Sequence, residues 1–386
     1  MLTLRVNGIE YNQAISISFR RTLKELCGFF ECETTATRFN ILPVKIGDRI
    51  EVLADGVRVL NGYIERLTVN QGPTEHIINI SGRDRTCDIG DSTVQKVREF
   101  IGPLPFATLA RRVLDNGNMN YIRIVNEAGT IDDFTSGTVV SAEVGETIFD
   151  FLNKYAARQK FLLTTNGDGD LVFLRAQNAF LQLNLQRLQN NSGNNILSSS
   201  LDIDYTKRFY TYTAHSQENP IESSADEEQI VSSIGSSTDN EIRPSRNLDF
   251  ITEEDETNIG SFNRAQFEAN INRANSLNYK CVVHGHTING SPYEINRLAE
   301  INDDFCQISA QMLLHTITMS YDLNNGSNTE LEFTYQDAYT LQALRDQAEA
   351  SRENTADSFV SDNNIGGFIG VTSVEEYLAL SEQTNE

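Results

Sequence analysis

A chain of 386 residues, 39% hydrophobic and 22% charged, has the make-up of a globular protein with two or three domains. Its 54 acidic residues against 31 basic ones leave a net charge of −23, which is the wrong sign for gripping phosphates and suits a surface that DNA passes without sticking. No apolar run reaches the roughly 18–20 residues of a membrane span, and the alternating first ten residues lack a signal-peptide layout, so a cytoplasmic product is expected.

The first ninety residues read as strands. Leu2, Leu4 and Val6 alternate, then Ile15, Ile17 and Phe19, then Phe30 and Cys32. Ile50, Val52 and Leu53 lead into Asp55-Gly56, and Val57, Val59 and Tyr63 follow; an Asp-Gly pair between alternating runs marks a hairpin. Residues 1–95 are therefore expected to form a small antiparallel barrel or sandwich.

Near residue 95 the period changes. Phe106, Leu109, Ala110, Val113 and Leu114 fall on one face of a helix, with Pro103 and Pro105 before it and Gly117 after it. Ile148, Phe151, Leu152, Tyr155 and Ala156 repeat the rule, and residues 160–175 read as a hairpin turning at residues 166–169. Residues 96–180 are thus an inserted α/β domain.

Residues 184–200, rich in Asn, Gln and Ser, read as a loop, and strands return at 201–204 and 209–214. Residues 218–262 carry twelve Asp or Glu against Arg243 and Arg246, so much of this stretch is expected to be exposed or mobile. A helix with Phe267, Ile271 and Ala274 on one face should follow, then strands to about residue 333. This makes residues 181–338 a second β domain. Residues 338–352 look helical, and 339–386 form a polar tail whose Phe359, Phe368 and Tyr377 are candidate partner anchors.

Two segments share a plan. Residues 50–85 and 299–338 each run from a strand through an acidic turn into an apolar strand, a Gly-containing turn and an alternating strand. A chain with two similar units, assembled three times, would present six in a ring and could join a sixfold partner to a threefold one.

Chemistry is sparse. The five cysteines (Cys27, Cys32, Cys87, Cys281 and Cys306) form no CxxC pair and read as buried free thiols. His284 and His286 are placed on one strand face without a third ligand of recognisable spacing. Residues 166–170, Asn-Gly-Asp-Gly-Asp, are similar to the start of a calcium loop but lack its downstream Glu and fit a hairpin tip. No catalytic residue, metal or cofactor is expected, and neither nucleophile-elbow nor phosphate-loop patterns occur.

Gly62, Tyr63, Ile64 and Glu65, followed by Ile78-Asn-Ile-Ser-Gly82-Arg83-Asp84-Arg85-Thr-Cys-Asp88, resemble the Mu-type phage baseplate hub proteins. The similarity continues through the helices at 104–114 and 145–158 and the hairpin at 162–175. It reappears at 295–304, 311–314 and 329–333, covering roughly residues 1–338, with Gln311 where the family usually has Glu. The resemblance implies a mainly β fold of two tube-like antiparallel β-barrel domains, an inserted helix-containing domain and a C-terminal tail.

It further implies a non-enzymatic homotrimer in the virion, assembled in the host cytoplasm. Its partners would be the tail tube or tube-initiator protein, the central spike and the baseplate wedge proteins, with the tape measure protein as a further one. DNA would pass through the central channel without specific binding. Alternatives are the hub of a tailocin or other contractile injection system and a tail-associated wall hydrolase. Gly82 is expected to turn the chain out of the barrel at positive φ, with Arg83, Asp84, Arg85 and Asp88 fixing the junction with the insert.

Overall fold

A computed structural model describes residues 1–335 apart from 12–13, 36–43, 73–75, 97, 160, 177–178, 218–231 and 252–257. The helix expected at 338–352 and the tail with Phe359, Phe368 and Tyr377 lie outside the described residues. In chain order, the first β unit holds β1 (Leu2–Val6), β2 (Ile9–Tyr11), β3 (Ala14–Thr22), β4 (Phe29–Thr35), β5 (Arg49–Ala54), β6 (Val57–Gln71) and β7 (His76–Asp84). Next come α1 (Cys87–Asp91), β8 (Glu99–Ile101), α2 (Phe106–Asn116), β9 (Ile124–Asn126), β10 (Val139–Ser141), α3 (Ile148–Arg158), β11 (Leu162–Thr165) and β12 (Leu171–Leu174). The remainder holds β13 (Phe180–Arg187), β14 (Ile196–Ile203), β15 (Thr211–Gln217), β16 (Ser232–Thr238), β17 (Asn247–Ile251) and α4 (Asn258–Asn275). It ends with β18 (Leu277–His284), β19 (Thr287–Ile288), β20 (Ser291–Pro292), β21 (Arg297–Asp303), β22 (Ile308–Asp322) and β23 (Gly326–Tyr335).

The fold is mainly β, and one 13-stranded sheet runs through both β regions in the order β14-β18-β23-β22-β3-β4-β7-β6-β5-β1-β2, with β21 also on β22 and β13 on β21. The order β3-β4-β7-β6-β5 recurs as β14-β18-β23-β22-β21, with antiparallel pairing throughout. Two of the irregularities recur as well. A bulge between Ala14 and Ser16 answers one between Ile196 and Ser198, and one between Ile64 and Arg66 answers one between Leu314 and Thr316. The two copies are fused where β22 pairs with β3, from Thr316 opposite Thr22 to Asp322 opposite Ser16.

Alternation along these strands puts one face on the core. Phe19, Phe30 and Ile80 from the first copy and Cys281, Leu331 and Phe333 from the second belong to a single contiguous apolar cluster. The insert has its own core. There α2 buries Phe106, Leu109, Ala110, Val113 and Leu114 against α3 and β12, and Phe106 meets Phe161 and Phe173 edge-on at 4.9 and 5.1 Å. Thr147 caps α3, its hydroxyl accepting from the Asp150 N–H at 3.0 Å.

Two expectations fail, for residues 184–200 and for the buried face of α4. Residues 184–200 are not one loop: β13 and β14 occupy both ends, because an edge strand facing water on one side needs few apolar residues. The described part of the acidic stretch is largely exposed, as expected, and is also ordered, since β16 and β17 flank β15 in a three-stranded sheet under α4. The buried face of α4 is the small-residue line Ser261, Ala265 and Ala269; of the expected face Ala274 is buried, while Phe267 and Ile271 are only partly buried. Gly235 explains the preference: a Cβ there would lie 2.0 Å from the Phe262 nitrogen, so helix and strand touch through backbone.

Candidate functional site: the junction between the first sheet and the insert

The end of β7 is where the chain leaves the sheet. Gly82 lies within this strand, and its role differs from the expected positive-φ turn. A bulge in β6 carries the Tyr63 carbonyl to 2.0 Å from where a Gly82 Cβ would stand, with Phe30 Cε1 at 2.9 Å. Gly62 faces the same constraint from the other side, 1.9 Å from the Arg83 carbonyl. Close backbone approach, and not a turn, requires glycine at both positions.

The four charged residues after Gly82 divide the work. Asp84 is fully buried and bonds inside the sheet region: Oδ2 accepts from the Gly28 N–H, and Oδ1 accepts from the Thr86 N–H at 3.0 Å and from the Thr86 hydroxyl. Burial pushes its carboxyl above the ordinary range, against the hydrogen bonds from Thr86 and Gly28 and the charge of Arg21. Arg83 stays half-exposed and forks, meeting Glu65 of β6 at 2.7 and 2.8 Å and Asp91 of α1 at 2.6 and 3.1 Å. Asp88 accepts from the hydroxyl of Tyr121, which belongs to the insert.

Arg85 crosses the junction. Its Nε donates to the Gly169 carbonyl at 3.0 Å and its terminal nitrogen to Asp170 Oδ1 at 2.6 Å. These acceptors sit at the tip of the β11–β12 hairpin, the Asn-Gly-Asp-Gly-Asp turn at residues 166–170. Asn166 Oδ1 accepts from the Asp168 and Asp170 N–H groups, both at 3.0 Å, and so shapes the turn. Asp170 is buried and also takes Arg123 at 2.7 Å, while Asp168 takes Arg58 of β6 and Arg123.

Burial works against the Asp170 carboxylate, but bonds from Arg123, Asn166 and Arg85 outweigh it and hold its pKa below the usual value. Asn61 Nδ2 donates to the Asp168 carbonyl at 3.0 Å, and Arg21 donates to the Val59 and Asn166 carbonyls at 2.6 and 3.0 Å. Gly167 is pressed so close to β6 that its Cβ would lie 2.3 Å from the Arg58 carbonyl. The hairpin tip is a plug seated on the sheet, its carboxylates consumed by arginines.

That seating answers the calcium question, because cationic side chains already occupy the oxygens a cation would need. Among the described residues, no group of three or more His, Cys, Asp or Glu side chains could hold a metal. His284 and His286 do not share a strand face. Strand β18 ends at His284, Gly285 turns the chain at φ +82°, and His284 is exposed while His286 is fully buried beside Thr329. All five cysteines are free; Cys32, Cys87 and Cys281 are buried, and burial raises their thiol pKa values.

The plug was not read from the sequence as part of this junction. A signal existed in two glycines and two aspartates packed into five residues, more than a free hairpin tip requires.

Comparison with known proteins gives the junction its context. A family model described as "Mu phage baseplate assembly protein GpP-like, N-terminal" matches residues 1–84, which end at Asp84. The baseplate hub protein gp44 of Escherichia phage Mu is 23% identical over 353 residues, 90% of each chain. Among solved structures, the 43 kDa tail protein of prophage MuSo2 from Shewanella oneidensis superposes with a TM-score of 0.75 at 24% identity, covering 87% of this chain and 98% of that one. A tail protein from Neisseria meningitidis gives 0.74 at 17% identity, covering 88% and 97%. These two share the fold.

Proposed function

From a chain similar to the Mu-type phage baseplate hub proteins along 90% of its length, we propose that this protein is a structural component of a phage tail baseplate, its central hub. It acts as a homotrimeric adaptor. Two tube-like β units per chain, three chains per ring, meet the sixfold tail tube or its initiator on one side and the threefold spike on the other. Wedge proteins surround it, and DNA crosses the channel after the spike has left.

The observation that carries this reading is the five-strand order present twice in one continuous sheet. A structural adaptor between symmetries of three and six needs that duplication, and it needs no catalytic group. The net charge of −23 suits a channel wall that phosphates slide past. The junction of Arg83, Arg85 and Asp88 with the insert sets the angle at which the insert stands on the sheet. Residues 339–386, with Phe359, Phe368 and Tyr377, are assigned to contact with the spike or the wedges.

Gold-labelled antibody against this chain, applied to intact particles, should decorate the end of the tail far from the capsid. Label on the capsid or along the sheath would contradict the assignment.

A further inference from the structure

The duplication makes a residue-level statement about how one copy meets the next; it rests on the ring reading above and goes beyond it. Within one chain the two β units join through β22 and β3, with Thr316–Asp322 lying antiparallel to Ser16–Thr22. Each strand in that seam has a counterpart in the other unit. The bulges fix the alignment: Arg66 answers Thr316, since each follows the bulge in its long strand, and Ser198 answers Ser16 in the same way. Cys32 and Cys281, paired with Ile80 and Leu331, fall at matching positions and check the register independently.

The counterparts of the seam strands are unpaired on the corresponding side. Strand β6 pairs with β5 only along its first half, so the side that β22 offers to β3 is open along residues 66–71 of β6 among the described residues. Among the described residues, strand β14 pairs only with β18 and ends the sheet. An open edge with apolar residues is an invitation to another strand. Burial marks the gap: Met319, facing Phe19 across the seam, is 0% exposed, whereas its counterpart Val69 is 51% exposed.

We propose that β14 of one copy of this chain pairs antiparallel with residues 66–71 of β6 in a second copy, repeating between chains the seam that β3 and β22 make within one. The register carried over from the internal seam sets Arg66 opposite Asp204, Leu67 opposite Ile203, Val69 opposite Leu201 and Asn70 opposite Ser200. The chemistry is compatible at each position: unlike charges at Arg66, apolar pairs at Leu67 and Val69 on one face, and hydrogen-bonding groups opposite one another at Thr68–Asp202, Asn70–Ser200 and Gln71–Ser199. A one-residue slip would set Leu67 against Asp202 or Asp204 and lose the apolar pairs. The contact is head-to-tail, so with three copies closing on themselves it builds a ring and not an isolated twofold dimer.

Asn70 and Ser200 are both exposed, which makes them safe places for a cross-link. Asn70→Cys and Ser200→Cys full-length chains are purified separately, mixed and oxidised, with the wild-type chain as the control for its own five cysteines. The expected result is a disulfide-linked dimer in the mixture only, and closed covalent rings from the double variant. Adding Leu67→Asp to the Asn70→Cys chain should cut the cross-link at least tenfold. An oligomer by light scattering that gives no cross-link in the mixture overturns this seam while leaving the ring reading standing. Monomers at every concentration, alone and with the spike present, and with no cross-link, overturn both.

Discussion

The two β units share one strand order, yet they close the end of that order with opposite chemistry. Where the first unit places Gly82 opposite Phe30, the second places Phe333 opposite Tyr279. The first then continues into Arg83, buried Asp84 and Arg85, and seats the hairpin plug of the insert; the second continues into Thr334 and Tyr335. At the shared bulge in the long strand the first unit carries exposed Glu65, paired with Arg83, and the second carries buried His315. Topology is kept while side chains specialise. The copy that must hold an extra domain uses backbone contact and buried charge, and the other uses aromatic packing.

The largest expected effect breaks the first unit at its contact point. Gly82→Val drives a side chain into the Tyr63 carbonyl and the Phe30 ring, and should cost about 3–5 kcal/mol in urea unfolding. Asp84→Ala removes the acceptor of buried Gly28 and Thr86 donors and should cost about 2–3 kcal/mol. Because burial raises the Asp84 carboxyl, its ionisation weakens the fold as pH climbs above the ordinary carboxyl range. That component should be absent in Asp84→Asn, as unfolding curves across pH 4–8 would reveal.

The second unit responds to pH with the opposite sign. Burial lowers His315 to about 3 and His286 to about 4, so each is neutral in the fold and charges readily only when unfolded. Their contribution is complete above the ordinary histidine value of about 6.5 and is lost as pH falls toward those lower values, the larger part from His315. His315→Gln should flatten the unfolding midpoint between pH 6.5 and 4.

Asp170→Asn weakens the plug and should speed amide exchange in β11 and β12 ahead of β6, with a global cost of about 1–2 kcal/mol. Arg83→Ala is the smallest change. Its pairs with Glu65 and Asp91 are solvent-screened, and thermal melting should register at most ~1 kcal/mol.

Local patterns in the sequence were enough for α2, α3, the hairpin around residues 166–169 and the meander β5-β6-β7, because each is written in periodicity or in a turn pair. The long-range pairings were not. The seam between β3 and β22 joins Thr22 to Thr316, and no period spans that separation. Strand β14 was read as loop because its Ser198, Ser199 and Ser200 lack apolar alternation, and the buried face of α4 was misread because Ser261, Ala265 and Ala269 are small, not hydrophobic in bulk. At the junction, Gly82, Arg83, Asp84, Arg85 and Asp88 stood out as a motif, but the partners of Arg85 lie more than eighty residues away.

The central claim is that two alike β units per chain exist to build a threefold ring. Light scattering on a sizing column, run on the full-length 43.2 kDa chain, tests it most directly. The account predicts a species of three chains, formed by the protein alone or on addition of its spike. A stable dimer, or a chain that stays monomeric with the spike present, would contradict it.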